Sequence, residues 1–166
     1  MKRVEQAVGA GSASRMSLVV YAALTLLATT AAANAKGYLQ SMGQLVFVVL
    51  VTAVGLVLAH FWSSTLAFRT SRSAAPGRDW LRAEAAHSSS MLFPGLLLAG
   101  VAWLGSFLVE DLELLVTISM SVLLVAIFAF TWAGTSRSEG GRWSDLLWAL
   151  GTAGVGLVMI VFKVLV

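Results

Sequence analysis

Hydrophobic residues run along this chain in long blocks separated by short polar stretches, with no strand-like alternation. Roughly 20 mostly apolar residues carry a helix across the hydrocarbon core of a bilayer. Five blocks approach or exceed that length, at residues 17–33, 44–68, 88–109, 112–133 and 144–166. The pattern predicts an all-α, polytopic transmembrane bundle of five spans, with residues 1–16 as a flexible cytoplasmic N-terminus and 17–166 as one transmembrane domain. The small residues of "AVGAGSAS", Ala7 to Ser14, support that flexible tail. Only "VEDLE", Val109 to Glu113, separates the third and fourth blocks, which makes them antiparallel neighbours in a tight hairpin. A turn is marked at Pro76–Gly77. There is no internal repeat, and five spans do not divide into the equal halves of an inverted-repeat transporter.

Composition places the chain in the membrane class. Of its 166 residues, 58% are hydrophobic and 11% charged, whereas in soluble domains about a quarter are charged. The mean hydropathy is +0.87. Without cysteine, disulfides, thiolate metal sites and cysteine nucleophiles are excluded. The net charge of +3 does not point to a nucleic-acid partner, because lysines and arginines are scattered between the blocks.

Their placement instead gives orientation by the positive-inside rule. With the N-terminus inside, the cytoplasmic side holds Lys2, Arg3, Arg15, Arg69, Arg72, Arg78, Arg82, Arg137 and Arg142, and the outer side only Lys36 and Lys163. Nine against two predicts N-inside and C-outside. The lipid bilayer is then the first partner, with the cytoplasmic arginines near anionic headgroups, each contributing about 1 kcal/mol. A second reading applies to the start of the chain. Arg15, the apolar run from Leu18, and "ANAKG" at Ala33 to Gly37 have the form of a signal peptide cleaved after Ala35.

Polar residues inside the blocks are the candidate chemistry, since an ionisable group within a span is costly and marks function by default. In "VGLVLAHFWSSTLAFR" His60 lies about 13 Å from the Arg69 end at 1.5 Å per residue. Ser63 and Ser64 follow at i+3 and i+4. Further on, Trp80, Glu84, His87 and Met91 share one helical face. Counting from Arg82 sets Ser63 and Ser64 level with His87, and His60 level with Ser90 and Met91. His60, Ser63, Ser64, Glu84, His87 and Ser90 thus outline a polar pocket open to the cytoplasm. Pro94 just beyond it predicts a kink that frees a carbonyl near Ser90.

No cofactor motif is present. If a divalent cation binds, His60, Glu84 and His87 are its candidate ligands. A proton is the other candidate, since histidine changes charge near neutral pH. The competing reading of His60 is a neutral imidazole that fixes helix packing. Enzyme chemistry has little support, because no nucleophile with a base and an orienting group can be assembled. Lys163 is an embedded charge at the outer end, on a face with Ala149, Ala153 and Gly156. The small residues Gly151, Gly154 and Gly156 mark a helix-contact face, internal to the bundle or facing another copy or a larger membrane complex. Thr117 and Ser121 predict hydrogen bonds between helices.

With Ala59-His60-Phe61 running to Arg69, the Glu84 to Pro94 segment and Lys163, the chain resembles a group of small multi-spanning actinobacterial integral membrane proteins. It departs from their pattern at Trp80-Leu81, where the group often has tryptophan-proline, and at Phe93-Pro94, where it often has two prolines. The resemblance implies a multi-pass protein of the bacterial inner membrane and no particular activity. Two functions are expected: a small transporter, channel or sensor with a cation or proton in the pocket, or a scaffold subunit docking through the last helix.

Overall fold

The computed structural model describes residues 2–72, 75–135 and 142–165. All described secondary structure is helical: α1 (Lys2–Ala35), α2 (Met42–Arg72), α3 (Arg78–Ser88), a 3-10 turn (Ser89–Met91), α4 (Leu92–Gly105), α5 (Leu112–Thr135) and α6 (Arg142–Leu165). Among the described residues, four stretches are long and apolar enough to cross a membrane: Ser14–Ala35, Met42–Ser71, the α3–α4 rod Arg78–Gly105, and Leu112–Ala133. Among the described residues of α6, Ala149–Val158 forms a shorter apolar helical stretch.

Two boundaries differ from the sequence reading. Helix α1 extends back to Lys2, through the segment expected to be flexible. Its alanines favour helix, and extending an existing helix is far easier than nucleating one, so scattered glycine and serine do not stop it. The third rod begins at Arg78 rather than near Ser88, because Pro76 and Gly77 end the preceding turn and Asp79 suits a first helical turn.

The helix ends are closed by local chemistry. After α1 the chain turns at Gly37, whose φ of +68° favours glycine. There the Tyr38 N–H donates to Ala33 O at 2.9 Å, satisfying a terminal carbonyl. Ser41 then caps α2, its Oγ accepting from the Gln44 N–H at 3.3 Å, while Gln44 Oε1 accepts from the Gln40 N–H. Asp111 Oδ1 accepts from the Glu113 N–H at 2.9 Å, so one member of the acidic cluster is the cap of α5.

The core is apolar and small-grained. Ala23, Leu26 and Leu27 of α1 pack with Leu45, Val49 and Ala53 of α2, Leu98 and Ala102 of α4, and Val116, Leu123 and Ile127 of α5. The outer surface is apolar too, with Leu58, Trp62, Leu66, Trp103 and Val125 exposed. A surface in contact with lipid tails carries no penalty for that. Helices approach closest at glycine. A Cβ on Gly95 would stand 2.6 Å from the Ala53 Cβ, so only glycine permits this crossing of α4 and α2. A Cβ on Gly156 would meet methyls of Leu24, Leu27 and Leu124, each at 3.2 Å.

Pro94 is buried in α4, and the chain one turn before it tightens into the 3-10 turn. The expected irregularity is therefore a local overwinding. The serine hydroxyls reinforce it: Ser89 donates to Ala86 O at 2.9 Å and Ser90 to His87 O at 2.7 Å.

Candidate functional site

Three helices bring the cluster together. α2 packs on α3 and on the 3-10 turn, and α1 lies against both. The pairing of α2 with α3 is set near their connection, where the rings of Phe68 and Trp80 pack with centroids 4.6 Å apart. Further along this antiparallel pair His60 comes against Glu84 and His87.

His60 Nε2 lies 3.6 Å from Glu84 Oε1, with the histidine side chain 30% and the carboxylate 16% exposed. The His60 and His87 rings are 6.2 Å apart, tilted by 52°. Ser14 Oγ of α1 lies 3.2 Å from His87 Nε2, in hydrogen-bond contact whose direction depends on the tautomer. Two imidazoles, one carboxylate and one hydroxyl thus meet across three helices, partly screened from their surroundings.

This joins three of the sequence-selected residues and rearranges the rest. His60 meets Glu84 and His87, about a turn nearer the connecting loop than the level of Ser90 and Met91. The reason is the Phe68–Trp80 contact, which sets a register that depths counted from Arg69 and Arg82 do not contain. Ser90 spends its hydroxyl on His87 O and supports the backbone of the cluster. Ser63 is exposed and Ser64 half-buried, and neither hydrogen-bonds to the cluster. Among the described residues no group of three His, Asp or Glu could hold a metal ion.

One residue of the site, and one buried polar residue next to His87, are missed by the sequence reading. Ser14 falls in the segment expected to be a flexible tail, and only the continuation of α1 brings it to His87. Ser88 is fully buried, and its Oγ has no hydrogen-bond partner. Its signal is its position four residues after Glu84, which puts both on one face.

The other singled-out residues lie apart from the cluster. Gly156 and Ala149 are buried, Gly156 against leucines of α1 and α5, so this part of the small-residue face is internal. Gly151 and Gly154 have open space where a Cβ would stand. The side chain of Lys163 lies outside the described residues. Thr117 donates to Glu113 O and Ser121 to Thr117 O, both at 2.8 Å, so these hydroxyls serve their own helix rather than a neighbour. A surface cavity of about 360 Å³ lies between α1, α5 and α6 around Val20, Tyr21, Leu24 and Phe130, and no residue of the cluster lines it.

Four long apolar helices make this chain a membrane protein by length and composition. Comparison with protein families, curated proteins and solved structures finds no match.

Proposed function

We propose that the protein is a five-span, N-inside and C-outside protein of the bacterial inner membrane, and that His60, Glu84 and His87 form a cytoplasm-facing site for a proton, or for a small cation held by no more than two of them, used in transport or sensing. The observation that carries this reading is the 3.6 Å approach of His60 to Glu84 across α2 and α3. A carboxylate held against an imidazole, both partly shielded from solvent, is stabilised when the ring takes up a proton and the pair becomes neutral overall. The second imidazole gives the cluster a further group able to carry a proton. Proton uptake or cation contact would therefore act on the relation of three helices at once.

The test is an NMR titration of both histidines in nanodiscs, with and without divalent metal, comparing the wild type with Glu84→Gln. A His60 titration that moves when Glu84 is neutralised, or resonances that respond to metal, supports the site. Histidines that ignore both remove it. A scaffold role is the second reading, favoured by the open space at Gly151 and Gly154 beside exposed Leu147, Leu150 and Val158. It predicts that Gly154→Leu disrupts assembly with a second copy or a larger complex while the histidine titrations are unchanged.

A further inference from the structure

Helix α2 carries a second feature on the face turned away from the ionisable cluster. Trp62, Thr65, Leu66 and Arg69 line a surface cleft of about 120 Å³. They recur at i, i+3, i+4 and i+7, which puts them on one helical face. Arg69 follows His60 by about two and a half turns, so cleft and cluster lie on opposite sides of α2. The cleft also straddles the boundary between hydrocarbon and headgroups. The apolar stretch Met42–Ser71 has 30 residues, about 45 Å of helix at 1.5 Å per residue, against about 30 Å of hydrocarbon. Centred in a bilayer, it leaves about five residues at each end among the headgroups, Arg69 among them, and sets Trp62 just inside the hydrocarbon. Trp62 is 71% and Leu66 57% exposed, so both are open to lipid. Thr65 spends its hydroxyl on Phe61 O at 2.8 Å. Arg69 is exposed, has no ion-pair partner among the described residues, and sits on a helix that contains no Asp or Glu. Its guanidinium is therefore the polar group that the cleft offers to a ligand.

We propose that this cleft binds one anionic phospholipid, with the phosphate held by Arg69 and an acyl chain laid across Leu66 onto the ring of Trp62. A guanidinium donates two parallel hydrogen bonds to a phosphate, and the flat indole gives the chain apolar contact below it. The charges on α2 select the anionic class. A zwitterionic headgroup brings an ammonium that meets no carboxylate on this helix, whereas a net negative headgroup brings the charge that Arg69 balances. Such a site differs from the general attraction of basic residues to an anionic surface, because headgroup and chain are recognised together at a fixed spacing on one helical face.

The experiment titrates phosphatidylglycerol or phosphatidylcholine into the full chain in a non-ionic detergent and counts bound lipid by native mass spectrometry. Wild type is compared with Arg69→Gln, Trp62→Ala and Arg15→Gln. Phosphatidylglycerol is expected to bind the wild type about fivefold more tightly than phosphatidylcholine, and Arg69→Gln to remove that preference. Trp62→Ala is expected to weaken both lipids by about threefold, since it removes contact with the chain alone. Arg15 is an exposed cation on α1, outside the cleft, and Arg15→Gln is expected to change affinity by less than about twofold. If Arg15→Gln were as damaging as Arg69→Gln, the attraction would belong to a diffuse basic surface and the proposal would be overturned. A preference that survives Arg69→Gln overturns it as well. Displacement of the lipid by inorganic phosphate would reduce the cleft to an anion site, and a dimer lost in Trp62→Ala with no preference between lipids would assign it to a second copy. Either result removes the lipid site.

Discussion

The meeting of α1, α2 and α3 and the meeting of α1, α5 and α6 are built on different chemistry. At the first, Ser14, His60, Glu84 and His87 interact from three helices. At the second, Leu24, Leu27 and Leu124 close on Gly156. Hydroxyls are plentiful on the helices of the second junction, yet Thr25, Thr29, Thr117, Ser121 and Thr131 each donate to a carbonyl one turn back on their own helix. The first junction is distinguished by the ionisable groups that meet there, which separates a site from mere polarity in a span.

The largest test of this contrast is Gly156→Leu. Added side-chain volume where a Cβ alone already crowds three leucines should lower unfolding free energy by about 3 kcal/mol or more in detergent. A tolerated leucine would mean the apolar junction is not close-packed, and the contrast would collapse. Next comes Glu84→Ala, expected to cost about 1 kcal/mol for a partly exposed ion pair, with its main effect on the His60 titration. Ser14→Ala should cost about 0.5–1 kcal/mol. Its signature is faster amide exchange in the first turns of α1 with α5 and α6 unchanged, and uniform exchange would show that Ser14 does not tie α1 to the site. The smallest effect belongs to Thr117→Val and Ser121→Ala, within about 0.5 kcal/mol, because those hydroxyls replace no contact between helices.

The long apolar helices and the α4–α5 hairpin were legible because hydrophobic length is a local property of the sequence. His60, Glu84 and His87 were legible as ionisable residues in apolar surroundings. Their partners were not, since register depends on a tertiary contact, Phe68 with Trp80, that no periodicity encodes. Ser14 escaped notice because small residues carry no signal of helix continuation. Gly156 could be read as a contact residue, but its place against α1 and α5 rather than another copy required the fold.

The 3-10 turn at Ser89–Met91 sets an angular phase between the two halves of its rod. Each residue in such a turn advances about 120° instead of 100°, so three residues rotate the start of α4 by about 60° more than a continuous α-helix would. The stripe of Glu84, His87 and Ser88 consequently ends at Met91, and the Pro94–Gly95 face of α4 comes to α2 on its own azimuth. Pro94→Ala would permit the α-helical ladder to run through and unwind that offset. Gly95 would then swing away from Ala53, carrying the fit of α4 on α2 with it, while the polar stripe on α3 kept its bearing.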